Sequence, residues 1–110
     1  MIDSLFVYGT LAPGEPNAEV LAGIHGSWRP ACVRGTLRDA GWAAEFGYPG
    51  IELTDTENEV KGMLLTSVEL QQHWDRLVEF EGSAYRRVEV TARCENGELV
   101  QAYIYEIAVP

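Results

Sequence analysis

Two hydrophobic periods run along this chain: a face change at every residue in several short segments, and a three-to-four-residue repeat in one longer segment. They sort it into strands and helices. Ser4 to Tyr8, rich in aromatic and β-branched side chains, predicts a first strand. It stops at Gly9-Thr10 and gives way to a loop through Pro13, Gly14 and Pro16. Asn17 fits the N-cap of a short helix running to about Gly23. Cys32 to Leu37 predicts another strand, with Gly35 marking a bulge or a close backbone approach. Gly41, Gly47, Pro49 and Gly50 then break the chain into turns around a short strand at Ile51-Glu52-Leu53, and Val60 to Leu65 resumes strand character.

The longest helix is predicted from about Ser67 to Phe80. Thr66 followed by Glu69 makes a capping box, and Leu70, Trp74, Leu77 and Val78 fall on one apolar face. Gly82 supplies the stop, because glycine accepts positive φ at little cost. Beyond Tyr85 come two alternating segments, Arg87 to Cys94 and Glu98 to Ile107, joined at Asn96-Gly97, a strong hairpin signal. Val88, Val90, Ala92 and Cys94 share one face of the first. Strands outnumber helices and the main helix sits between strand groups, which predicts an α+β domain on a curled, largely antiparallel sheet.

At 110 residues there is room for a single domain spanning 1–110 and one core. No apolar run approaches the length that crosses a bilayer, and MIDSLFVYGT lacks the basic start and long apolar stretch of a secretory signal, so a cytoplasmic protein without a membrane partner is expected. The net charge of −9 repels phosphate backbones and argues against nucleic acid; a site for an anionic small molecule must bring its own donors. Cys32 and Cys94 are too few for a disulfide framework or a zinc site and are read as buried thiols in preference to a bridge. His25 and His73 have no ligand spacing around them. No metal or cofactor is expected.

Tyr8-Gly9-Thr10-Leu11 follows directly on the opening strand. A strand that breaks at glycine exposes successive N–H groups without ladder partners, the makings of an anion-binding nest; the GxxxxGK[ST] phosphate loop is absent. Phe80-Glu81-Gly82 stands at the carboxyl end of the main helix. There the macrodipole disfavours an ionised carboxylate by only about 0.3–1 kcal/mol, so burial would have to supply the rest of a raised pKa suited to proton exchange. Arg34, Arg86 and Arg87 are candidate carboxylate partners, although each also reads as a strand-surface charge. Tyr103 and Tyr105 share a strand face that suits a pocket wall or plain core; Trp74 is core by spacing, while Trp28 and Trp42 carry no signal. Ser4 and Ser83 lack the nucleophile-elbow sequence, and the acidic run Glu52, Asp55, Glu57, Glu59 lacks the spacing of a calcium loop.

Taken in order, Val7-Tyr8-Gly9-Thr10-Leu11, Tyr48-Pro49-Gly50, Val60-Lys61-Gly62, Leu77-Val78-Glu79-Phe80-Glu81-Gly82, Tyr85-Arg86-Arg87 and Ala102-Tyr103-Ile104-Tyr105 resemble the γ-glutamylcyclotransferase-like family over nearly the whole chain. The resemblance implies a small mixed, largely antiparallel β-barrel with one main helix and short peripheral helices. It implies a cavity in which Tyr8, Gly9, Thr10 and Leu11 bind a γ-glutamyl group, Glu81 acts as acid/base, and Tyr85 and Tyr103 line the walls. The implied reaction is cofactor-free: the α-amine attacks the γ-carbonyl of the same molecule and closes 5-oxoproline, with the advantage of an intramolecular reaction held in its reactive rotamer. Two other readings stay open, a γ-glutamylamine cyclotransferase releasing lysine or another amine, and a non-catalytic module that keeps the cavity for a small acid. The oligomeric state is left open.

Overall fold

The computed structural model of the protein describes residues 2–8, 14, 19–38, 50–53, 58–82 and 85–107, with the backbone alone of 19, 37, 38, 50, 52, 81 and 107. Strand β1 (Ser4–Val7) is followed by helix α1 (Glu19–Ala22), then β2 (Ser27–Arg34), β3 (Thr36–Arg38), β4 (Gly50–Glu52) and β5 (Glu59–Thr66). A 3₁₀ segment (Val68–Gln72) and helix α2 (Trp74–Glu81) precede the hairpin of β6 (Tyr85–Cys94) and β7 (Leu99–Ile107). In the order β1-β5-β2-β6-β7 the strands close into a barrel, and β3 pairs with β4 in a separate ribbon. Neighbours in the barrel run antiparallel except at the closure, where β1 lies parallel to β7 with Leu5 beside Tyr103. The fold is thus the mixed, largely antiparallel α+β barrel that the family resemblance implied.

Alternation along the strands divides the apolar side chains between two cores. Phe6, Ala31, Val33, Val60, Leu64, Ala92, Cys94, Ala102 and Ile104 come from all the barrel strands and fill its interior. A barrel of so few strands is narrow, so alanine and glycine must stand opposite the larger side chains. Gly62 is the tightest case: a Cβ there would strike the Val7 carbonyl oxygen and come within 2.7 Å of the Phe6 ring. The alternate residues Leu5, Val7, Leu65 and Tyr105 face outward and are covered by Leu21, Leu70, Trp74 and Leu77 of the helical segments and by Ile24 just after α1.

Several boundaries differ from the sequence reading. The main helix is broken: a 3₁₀ segment ends at His73, whose φ of −120° lies outside helical geometry, and α2 starts afresh at Trp74. Ser67, not Thr66, caps the start by accepting the Glu69 N–H at 3.1 Å, because the Thr66 hydroxyl is engaged with that of Ser4. The tighter 3₁₀ winding shifts the phase of the apolar face. Leu70, Trp74 and Leu77 remain buried while Val78, expected beside them, is 46% exposed. The strand expected from Cys32 begins earlier, at Ser27, and divides at Gly35, where the chain leaves the barrel to form the ribbon. The short helix begins at Glu19; Asn17, its expected cap, lies outside the described residues, as does Trp42. Gly97 (φ 88°) makes the predicted hairpin turn, and Gly82 (φ 76°) ends α2 by donating its N–H to the Val78 carbonyl.

Gly62→Ala is expected to fold with a loss of about 1–3 kcal/mol, since neither the Val7 backbone nor the packed Phe6 ring can retreat freely. Urea unfolding of the two proteins measures it, and equal midpoints would contradict the close packing.

Candidate functional site

Because β1 and β7 run parallel and β6 runs back against β7, the end of β1, the end of β7 and the beginning of β6 lie on one rim of the barrel. Tyr85 pairs with Ile107 at this rim, and Arg87 pairs with Tyr105 one step inside it. Helix α2 ends at Glu81, a few residues before β6 begins. The topology therefore carries the chain after Tyr8 and the chain after Glu81 to the same rim.

Tyr8 is fixed there by its hydroxyl, which donates to the Tyr105 carbonyl at 2.8 Å and accepts the Ile51 N–H at 3.0 Å. Two residues further along the ribbon, the Leu53 N–H donates to the Glu106 carboxylate at 3.1 Å. Glu106 is buried and also accepts from Arg86, at 2.9 Å from Nε and 2.8 Å from Nη2. Ile51, fully buried, plugs the barrel end between these two anchors. A hollow of about 320 Å³ opens beside them, lined by Tyr8, Gly35, Thr36, Asn58, Glu59, Val60 and Lys61.

Of the aromatic residues expected at the site, Tyr85 and Tyr103 are half-buried against the helix-covered core. Tyr103 meets Trp74 edge-on, with ring centroids 5.0 Å apart. The Arg87 guanidinium lies against both rings, 5.0 Å from the Trp74 centroid and 4.7 Å from that of Tyr103. Among the described residues, Arg87 Nη1 and Trp74 Nε1 are buried and have no hydrogen-bond partner. Gly9, Thr10 and Leu11 lie outside the described residues, as do Ser83 and the Tyr48-Pro49 pair; of Glu81, the backbone is described.

The remaining candidates sort readily. Arg86 is engaged by Glu106, and Arg34 is exposed at the end of β2. Both cysteines are free; Cys94 is buried as expected, but Cys32 sits half-buried on the opposite parity of the neighbouring strand positions. Its thiol donates to the Glu59 carboxylate at 3.2 Å, and Arg93 pairs with the same carboxylate. Burial first, then the hydrogen bond and charge of Glu59, hold the Cys32 pKa above the usual thiol range, so it is a poor nucleophile at neutral pH. Hydrogen bonds from Arg93 and Cys32 hold Glu59 below the usual carboxylate range. Among the described residues no group of acidic, histidine or cysteine side chains is arranged to hold a metal ion, and no helix is long and apolar enough to cross a membrane.

The family model for gamma-glutamyl cyclotransferase, AIG2-like proteins matches residues 5–110. The chain belongs to that family. Solved structures agree. YkqA from Bacillus subtilis is 29% identical, with a TM-score of 0.74 over 97% of this chain and 36% of YkqA, so the chain spans about a third of that protein's length. An AIG2-like protein from Mus musculus is 26% identical, with a TM-score of 0.68 over 97% of this chain and 78% of the mouse protein. A structure described as a gamma-glutamyl cyclotransferase shares the fold at 16% identity, with a TM-score of 0.67 over 96% of this chain and 66% of its own. No curated protein matches. Membership of the family supports cyclotransferase as the general class of activity.

Set against the family pattern, two features escaped the sequence reading. The Arg86–Glu106 pair was legible in part: counted from the Asn96-Gly97 turn, both residues stand at inward-facing parity on strands whose other inward positions are apolar. An acid and a base at such positions mark a buried contact. The convergence of Trp74 with Arg87 and Tyr103 had no such signal, because it depends on how α2 crosses the sheet.

Tyr8→Phe leaves the buried Ile51 N–H and Tyr105 carbonyl without their shared partner. It is expected to cost about 1–3 kcal/mol in thermal or urea unfolding. Unchanged stability would show that the hydroxyl is not the anchor described.

Proposed function

We propose that this protein cyclises γ-glutamyl compounds to 5-oxoproline and releases the amine or amino acid that was attached to the γ-carbonyl. The observation that supports the reading is the shared barrel rim at which β1 ends and β6 begins, with α2 ending a few residues before β6, in a chain of the gamma-glutamyl cyclotransferase, AIG2-like family. The name of the structural relative described as a gamma-glutamyl cyclotransferase supports the same class.

The chemistry needs little from the protein beyond geometry and a proton carrier. The α-ammonium of the substrate gives a proton to the Glu81 carboxylate, and the free amine attacks the γ-carbonyl carbon. A C–N bond forms within the five-membered ring. As the tetrahedral intermediate collapses, the bond to the leaving nitrogen breaks and Glu81 returns a proton to that nitrogen. The surplus proton on the lactam nitrogen and the last proton of the released amine exchange with solvent. No water is consumed and no redox change occurs. Backbone N–H groups of residues 9–11 serve the developing oxyanion or the substrate carboxylate. Holding the chain of the γ-glutamyl group in its cyclising rotamer supplies much of the acceleration. Tyr8, anchored through its hydroxyl, braces the start of that loop rather than donating a proton.

Incubation with γ-glutamyl dipeptides and γ-glutamyl-lysine, followed by mass spectrometry, is expected to show 5-oxoproline and a released amine. Product from the lysine adduct alone selects the γ-glutamylamine reading, and tight acid binding without product selects the non-catalytic module. Glu81→Gln is expected to lower kcat by about 10²–10⁴-fold at unchanged thermal stability. Full turnover by that variant would remove Glu81 from the mechanism.

A further inference from the structure

Arg87 carries a charge that no described carboxylate neutralises. Arg29, Arg86 and Arg93 pair with Glu98, Glu106 and Glu59, but Arg87 makes no ion pair among the described residues. It is half-buried, and its Nη1 is fully enclosed without a hydrogen-bond partner among the described residues. The faces of Trp74 and Tyr103 attract the desolvated guanidinium, and satisfy none of its N–H donors. Trp74, 8% exposed, buries a second orphan donor, its indole N–H, in the same cluster. Burying two unpaired donors side by side is costly.

The place of Arg87 gives this arrangement a use. Its partner across β6 and β7 is Tyr105, the residue whose carbonyl receives the Tyr8 hydroxyl. Arg87 therefore stands one strand away from the anchor of the Tyr8 loop, on the face covered by α2, the helix that ends at Glu81. A chain of net charge −9 repels a carboxylate substrate at a distance and must hold it through a local cation. A guanidinium presents paired N–H groups that match the two oxygens of a carboxylate.

We propose that Arg87, aided by the indole N–H of Trp74, is the receptor for the α-carboxylate of the γ-glutamyl group. This rests on the cyclotransferase reading and assigns its substrate selectivity. The enzyme takes compounds that keep the α-carboxylate and rejects those in which it is amidated or absent, and the N–H groups of residues 9–11 are left for the oxyanion.

The test compares 5-oxoproline with its carboxamide, which is uncharged but nearly the same in shape. Calorimetry on the wild type is expected to give about 10–100-fold tighter binding of 5-oxoproline. Arg87→Gln should abolish that preference by weakening 5-oxoproline while leaving the carboxamide alone. Trp74→Phe keeps the ring and the stacking but lacks the N–H, and should narrow the preference several-fold; it decides the matter if Arg87→Gln does not fold. In turnover, Arg87→Gln should raise KM for γ-glutamyl substrates far more than it lowers kcat. Equal affinity of the wild type for the two ligands, no affinity for either, or a folded Arg87→Gln that binds 5-oxoproline like the wild type overturns the proposal. Absence of 5-oxoproline formation by a wild type that still prefers the carboxylate sinks the cyclotransferase reading and leaves the receptor standing.

Discussion

Everything at the candidate site depends on the parallel contact between β1 and β7. Antiparallel pairing alone would leave β1-β5-β2-β6-β7 as a sheet with two free edges, and the first and last strands would stand far apart. Closure through Leu5 and Tyr103 puts them side by side and pointing the same way, so that both finish at one rim. The hairpin then adds the beginning of β6 to that rim, and α2 delivers Glu81 to it. The division of the candidate site between the start and the last third of the chain follows from this single contact.

Once the rim exists, a small set of buried polar groups fixes its shape. The Tyr8 hydroxyl and the Glu106 carboxylate take the N–H groups of Ile51 and Leu53, two residues apart, and the Ile51 side chain packs into the barrel interior. Glu106 could not be buried alone; Arg86 compensates it while keeping much of its own side chain in water. Among the described residues, Phe6 and the small residues facing it pack together in the interior.

Much of the fold was legible because the local rules agree with one another. The strands around Phe6, Leu64, Ala92 and Ile104 alternate cleanly, and Asn96-Gly97 and Gly82 stand where positive φ is required. The main helix misled at its start because the capping box names Thr66, whose hydroxyl the neighbouring strand had already claimed through Ser4. Barrel closure was not legible from periodicity, which has no means of showing that β1 returns to β7; the ordered motifs of the family supplied it. At the candidate site, Tyr8 was expected to bind a γ-glutamyl group; its hydroxyl is occupied by Tyr105 and Ile51, a fact that no spacing reveals. Arg87 stood among three candidate arginines, and only the packing of Trp74 and Tyr103 separates it from Arg34 in water and Arg86 in an ion pair.

The account comes down to a claim about place: the glycine-bearing turn after β1 and the junction of α2 with β6 are two halves of one site for a γ-glutamyl acid. Titration of ¹⁵N-labelled protein with 5-oxoproline, followed by NMR, tests it directly. Amide signals of Gly9, Thr10 and Leu11 and of the stretch from Glu81 to Arg87 should shift together with one saturation curve. Shifts confined to the surface around Cys32, Glu59 and Arg93, or to one of the two segments alone, would contradict it.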